Sequence, residues 1–345
     1  MKIAVLYSAS ATHIGTVVDH LVGLKDPFLI IDYLPATHGA PLLPLASYEA
    51  LVIHYSVRLC YPGYISPNWL SAITKFRGRK VAFVQDEYER PLATLQQLHM
   101  CEVETIFTCM PPDVSSVMYP ACKTVRVLTG YVPEHLLESP YAQPYDCRKI
   151  VIGYRGRRLG AWYGRLGQEK LQIGLSMLKA CRDRKIPCDI AWDDSARVYG
   201  SAWPVFMGSV RATLGTESGA SIVDWEGSAH AWCVANPQAT IDLVCEAYDD
   251  GQYKMAQISP KVFEATALRT ALIMYRGRYS GLVEPWLHYI PLEKDLSNTD
   301  EVFDALADKG RVIEMTDRAY EEVARNPKNS YRVLGRKLAR ELGCA

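Results

Sequence analysis

In its first half the chain alternates short apolar, strand-like runs with stretches of helical spacing, the sequence mark of a parallel sheet wrapped by helices. The spacing predicts strands at 1–8, 28–32, 50–55, 80–85, 105–108 and 124–128. Helices are expected at 16–24, 67–75 and 91–100, the last two opening on a proline, whose missing N–H costs nothing in a first turn. The pattern breaks in the polar, proline-containing stretch ESPYAQPYDCR, 138–148, and a new strand starts at Lys149. The alternation then repeats: strand 149–154, helix 168–185, strand 188–192, helix 200–209, strand 211–215, helix 260–268 and strand 271–275. Residues 299–342 read as charged helices.

The expected fold class is α/β, with two Rossmann-like, doubly wound domains facing across a cleft and a helical C-terminus, because open parallel sheets bind ligands outside the carboxyl ends of their strands. The expected boundaries are 1–147 and 148–328, with 329–345 as a final helix able to pack back on the first domain. A length of 345 residues, more than one core usually serves, agrees with this division.

With 38 basic and 38 acidic residues the net charge is zero, so no whole-molecule field recruits a polyanion, and nucleic acid is not expected as a partner. Any anion site must be local. No run approaches the roughly 20 apolar residues of a membrane span, and the opening MKIAVLYSAS lacks the pattern of a signal peptide. A cytoplasmic protein is expected, with peripheral contact at the inner face of a membrane left open. The ten cysteines are scattered without a CxxC pair and read as reduced core residues. No histidine lies at zinc-ligand spacing from a cysteine pair and no DxD triplet ends a strand, so no metal is expected.

The strand that opens the second half ends in IVIGYRGRRLG, 150–160. Its glycines free the backbone for a tight turn, and Arg155 and Arg157 bring two guanidinium forks to the strand's carboxyl end, which suits a pyrophosphate; a plain turn with solvated arginines fits the same residues. Lys170, opening the next helix, adds a third positive charge. In ISPKVFEATALRTALIMY, 258–275, Ser259 suits an N-cap and Pro260 a first helical position. The unpaired N–H groups of such a helix start, beside Lys261, can take a phosphate. Glu264, one turn further in and set in an apolar run, can accept hydrogen bonds from vicinal ribose hydroxyls, against the commoner fate of a solvated helix glutamate.

The segment GTESG, 215–219, ends another strand. Glu217, Ser218 and Gly219 form a loop whose polar groups can line an anion or a sugar, or merely turn the chain. A carboxylate at the end of a buried strand is costly unless it binds something, which singles out Glu217. In the first half His13, in SASATHIG, and Asp86 with Glu87, in VQDEY, stand at strand ends where an imidazole or carboxylate can deprotonate an acceptor hydroxyl; helix capping and a structural histidine are the alternatives. Tyr279, Ser280, Gly281 and His288 are expected on the sugar side.

Strand, arginine-bearing turn, helix and a late helix reading FEATALRTALI together resemble the donor half of retaining GT-B glycosyltransferases, the glycosyl transferases group 1 or family-four-like enzymes of bacterial surface-polysaccharide assembly. Their signature is an E-x7-E pair with LEAxAxGxPVI, and Glu264 matches the second glutamate, the one that holds the donor ribose. VIHYS, FVQDEY, IFTC and LTGYVPE follow the order of that family's acceptor domain. Two departures stand out. Ala256 and Gln257 occupy the region of the first glutamate, the nearer match being Glu217, across a segment of roughly 40 residues. Arg269 and Thr270 replace the usual small residue and glycine.

The resemblance implies a Leloir-type glycosyltransferase, independent of metal or other cofactor, that moves a sugar from a nucleotide-sugar donor to a glycan, lipid-linked or small-molecule acceptor in glycoconjugate or surface-polysaccharide biosynthesis. A nucleotide-sugar epimerase of the same fold, or a non-catalytic nucleotide- or glycan-binding protein, would use the same donor contacts.

Overall fold

The computed structural model describes residues 1–42 and 44–344. The chain divides into two compact units, one made of Met1–Leu128, Ile222–Met255 and Tyr331–Ala345, the other of Thr129–Ser221 and Ala256–Ser330. Among the described residues the strands form two all-parallel sheets, of six and five strands.

In the first unit β1 (Lys2–Tyr7), β2 (Ile30–Pro35), β3 (Ala50–Ile53), β4 (Arg79–Val84), β5 (Thr105–Thr108) and β6 (Lys123–Arg126) stand in the order β2-β1-β3-β4-β5-β6. Helices α1 (Gly15–Gly23), α2 (Pro67–Lys75), α3 (Pro91–Met100) and α4 (Pro112–Met118) lie on the crossovers. Strands covered on both faces must be apolar throughout, and Ile3 to Leu6 and Ala50 to Val52 are fully buried. Prolines occupy the first turns of α2, α3 and α4.

The second unit carries β7 (Ile150–Arg155), α5 (Gly164–Asp183), β8 (Cys188–Ala191), α6 (Ala202–Ser209) and β9 (Val210–Gly215). Next in the chain, α7 (Ser228–Ala235) and α8 (Ile241–Ala247) belong to the first unit. The second unit resumes with α9 (Pro260–Ala267), β10 (Ala271–Tyr275), β11 (Ile290–Leu292), α10 (Thr299–Ala307) and α11 (Lys309–Ala319), and α12 (Arg332–Glu341) returns to the first. The sheet order is β11-β10-β9-β7-β8. Its core joins Ile152, Tyr154, Ile173, Met177, Leu214 and Ile273. Arg148, only 3% exposed, donates to the carbonyls of Gln143, Val210, Leu268 and Arg269 and to the Thr270 hydroxyl, which itself donates to the Met207 carbonyl. A buried charge needs partners, and this network gives Thr270 a structural purpose; Arg269, with a left-handed φ of 49°, stands where the family signature has glycine.

Four features depart from the pattern expected of the sequence. Helix α4 and strand β11 are too short to show a period, the segment 129–147, expected in the first domain, belongs to the second unit, and the segment Ile222–Met255, expected in the second half, belongs to the first unit. Asp224 holds it there: its N–H bonds the Tyr88 carbonyl, its own carbonyl accepts the Arg90 N–H, and its carboxylate accepts the N–H groups of Ala229 and His230 in the first turn of α7.

Candidate functional site

In each sheet the strand order reverses once, between β1 and β3 and between β7 and β9. Such reversals open a crevice at the carboxyl ends, because the two loops leave in opposite directions. In the second unit this point holds a cavity of about 170 Å³ whose lining includes Arg155, Gly156, Arg157, Lys170, Thr216 and Lys261. A Cβ at Gly156 would stand 2.7 Å from the Tyr154 ring and 3.1 Å from the Lys170 carbonyl, so the turn requires glycine.

Helix α9 points its first turn at this cavity, with Ser259 and Lys261 in the lining. Ser259 takes the N-cap position, but its hydroxyl accepts no N–H of the first turn. Lys261 donates from Nζ to the Arg155 carbonyl at 3.1 Å and sits 4.2 Å from the centre of the Tyr154 ring. Burial, and then the charge of Lys170, push its amine down to about 7, against the pull of Glu264. Glu264, three residues on, is buried, and its Oε2 accepts the indole N–H of Trp203 at 2.8 Å.

Arg155 reaches the cavity with its guanidinium already engaged. Both Asp189 carboxylate oxygens accept from it at 2.8 Å, and the Phe206 ring lies 4.3 Å away. Its buried Nε has no hydrogen-bond partner, and of the two arginines expected at a pyrophosphate Arg157 is the exposed one. Asp189 escaped sequence reasoning, since an isolated acid in a strand carries no signal of its partner.

Glu217 does not line the cavity. Its Oε1 accepts the N–H groups of Arg278 and Tyr279 at 3.2 and 2.8 Å, so the carboxylate fills a backbone anion nest in the loop after β10. That loop turns through three successive left-handed residues, Tyr279, Ser280 and Gly281, with φ of 45, 56 and 77°. Ser218 pairs with Gln257 through two backbone hydrogen bonds of 2.7 and 2.8 Å, beside Gly219 at φ 124°. Ser280 accepts the Ile258 N–H, while the buried Tyr279 hydroxyl donates to the Tyr275 carbonyl. His288 is buried; its Nδ1 accepts the Glu284 N–H at 3.0 Å, so Nε2 carries the proton and donates to Glu322 at 2.9 Å. These bonds give Glu217, Tyr279 and His288 structural work in the fold.

In the first unit the reversal point holds a buried histidine pair that the sequence did not suggest. The Ser56 N–H donates to His54 Nδ1 at 3.1 Å, so the His54 proton is on Nε2, which lies 3.0 Å from His20 Nδ1. Burial pushes His20 down to about 3, and burial with the neighbouring His20 holds His54 well below the usual histidine range. His13 is exposed in the loop after β1, its Nδ1 2.8 Å from the Ser10 carbonyl. Asp86 and Glu87, adjacent in sequence, part company. Asp86 is exposed and accepts the Tyr88 hydroxyl at 2.6 Å. Glu87 is 2% exposed and accepts from the Thr108 hydroxyl and the Cys109 N–H, and burial pushes it up to about 7. Among the described residues no group of three or more His, Cys, Asp or Glu side chains is arranged to hold a metal ion, and no helix is long and apolar enough to cross a membrane.

No family model matches the sequence, and no curated protein matches it. Solved structures do. Anabaena HepE in complex with UDP-glucose is 11% identical, with a TM-score of 0.55 over 100% of both chains. An alpha-glucosyltransferase in complex with UDP and a 13-mer DNA containing a HMU base is also 11% identical, with a TM-score of 0.55 over 99% of both chains. The sucrose-phosphate synthase of Thermosynechococcus elongatus is 10% identical, with a TM-score of 0.50 over 99% of both. The chain has the GT-B fold. In this GT-B chain the Ser218–Gln257 bridge brings the 215–219 loop alongside residues 256–257.

Proposed function

We propose that this protein is a glycosyltransferase of the Leloir type, and that the second unit holds its nucleotide-sugar donor. The observation that carries the reading is the cavity at the β7–β9 reversal, where Lys261, Lys170 and Arg157 converge on the first turn of a helix. Cations and open N–H groups together suit a diphosphate. Glu264, one turn along the same helix, is the group for the ribose. The fold shared with structures that hold UDP or UDP-glucose supports the same assignment.

In this reading the bond between the anomeric carbon and the diphosphate breaks, an acceptor hydroxyl bonds that carbon, and the nucleoside diphosphate leaves. The hydroxyl proton goes to a base; of the acids and the histidine expected in that role Asp86 and His13 are exposed, whereas Glu87, turned inward, is not suited to accept it. Lysine and arginine would meet the leaving charge without a metal or other cofactor. The acceptor is a glycan, a lipid-linked sugar or a small molecule, and the setting is glycoconjugate or surface-polysaccharide assembly in the cytoplasm or at a membrane's inner face. A balanced net charge argues against a nucleic-acid acceptor.

The test is a thermal-shift panel of UDP-, GDP-, CMP- and dTDP-sugars, followed by assay of nucleotide release. A ligand at a hundred times its dissociation constant stabilises by about 2.7 kcal/mol, so one class should raise Tm clearly and be slowly hydrolysed without acceptor. If none shifts the melt, the reading fails.

A further inference from the structure

Trp203 stands where the structure gives it two duties toward the candidate donor site. Its indole N–H donates to Glu264 Oε2 at 2.8 Å, and its ring centre lies 5.9 Å from the Lys261 amine. The ring also leans on Phe206, which carries the Arg155 guanidinium on its face. Helix α6, which carries both aromatic rings, packs against α9.

A carboxylate can grip two vicinal hydroxyls only if its plane is fixed, and a glutamate has three torsions to fix. The indole N–H is a donor without acceptor capacity, so its bond to Oε2 holds the carboxylate as an acceptor and sets its rotation. An oxygen that already accepts one hydrogen bond keeps a second lone pair, so the bond to Trp203 can persist when a hydroxyl arrives. We infer that Trp203 is a positioning residue for the donor's ribose, acting through Glu264, and that it sets the preference of the site for ribonucleotides over 2′-deoxyribonucleotides. The inference rests on the donor site proposed above.

The experiment is calorimetric titration of the full chain with UDP and 2′-deoxy-UDP, each against wild type and Trp203→Phe, which keeps an aromatic ring but removes the N–H. The wild type should prefer UDP by about tenfold, the worth of one hydrogen bond to a charged group. Trp203→Phe should lose about five- to tenfold for UDP and little for 2′-deoxy-UDP, so the preference collapses. Equal losses for both nucleotides would reduce Trp203 to a stacking or structural residue and overturn the inference, as would unchanged binding of both. A wild type that binds both equally would overturn it while leaving the diphosphate site intact. If the wild type binds neither, nor any other nucleotide of the panel, the donor site itself falls. Should Trp203→Phe fold poorly, Glu264→Gln supplies the second arm: it should remove the same preference in a chain that keeps the tryptophan, and a retained preference would refute the mechanism.

Discussion

Arg155, the last residue of β7, reaches across to Asp189, the second residue of β8, and the two carboxylate oxygens each lie 2.8 Å from a guanidinium nitrogen. The register pairs Gly153 with Asp189 and Arg155 with Ala191, so the two side chains are diagonal neighbours on one face of the sheet. The pair fixes the turn that carries Gly156 and Arg157. Asp189→Ala is expected to lower stability by about 1 kcal/mol, since the aspartate is partly exposed and solvent screens the pair. Arg155→Ala should cost a similar amount and weaken nucleoside diphosphate binding less than Arg157→Ala does. Urea melts and titration of both variants check this, and the reverse ranking would return Arg155 to the diphosphate.

Lys261, held down to about 7, should bind a diphosphate only after taking up a proton. Affinity for a nucleotide sugar should therefore rise as pH falls through about 7. UDP-glucose is the appropriate probe, because a diphosphate esterified at both ends keeps its charge over that range. Titration at pH 6 and pH 8.5 should show affinity several-fold higher at the lower pH, with proton uptake seen as a buffer-dependent heat. Lys261→Met should lose both effects.

Glu87 affects stability in the opposite sense to a carboxylate whose pKa folding lowers. Its folded pKa of about 7 lies above the usual 4.5, so the folded chain holds a proton that the unfolded chain releases. The resulting stability is fully present below pH 4.5 and is lost as pH rises through 7, by about 2 kcal/mol between pH 5 and pH 8. Glu87→Gln, uncharged throughout, should gain about that much on the wild type over the same interval. Denaturant melts at the two pH values check it; a parallel pH response in both proteins would refute it.

His20 provides the acid-side counterpart. Its pKa is lowered from 6.5 to about 3, so its contribution to stability is present above pH 6.5 and is lost as pH falls toward 3. Between pH 7 and pH 4 the loss should reach about 2 to 3 kcal/mol. His20→Leu is expected to be less stable at pH 7 yet to lose less on acidification, which melts at both pH values would reveal.

Glu217→Ala should act on stability before it acts on chemistry. Removing the carboxylate leaves the Arg278 and Tyr279 N–H groups without their acceptor beneath a loop of left-handed residues, at a cost of about 2 kcal/mol. Gly277→Ala should have a similar effect by another route, since its Cβ would fall 2.7 Å from Glu217 Oε2. Thermal melts decide: full stability of Glu217→Ala would show that the nest does not need its anion.

What the sequence by itself determined is whatever depends on near neighbours along the chain. The apolar runs of doubly covered strands, the prolines in the first turns of α2, α3 and α9, and the glycine–arginine turn after β7 were all legible, because period, φ restriction and loss of an N–H act within a few residues. The carboxyl end of β7 and the start of α9 were legible as anion-binding ground, and Arg155, Arg157, Lys170, Ser259 and Lys261 do line the cavity there. Only the tertiary structure decided which polar group answers which. Arg155 finds Asp189, Glu264 finds Trp203 and Glu217 finds the loop after β10 across 34, 61 and 62 residues of chain. Of two adjacent acids, Asp86 faces solvent and Glu87 the interior, a choice fixed by the left-handed backbone at Asp86 and by the β4–β5 pairing that sets Thr108 beside Val84. Composition and period specify that a charge will need a partner; only register and packing bring a particular one within 3 Å.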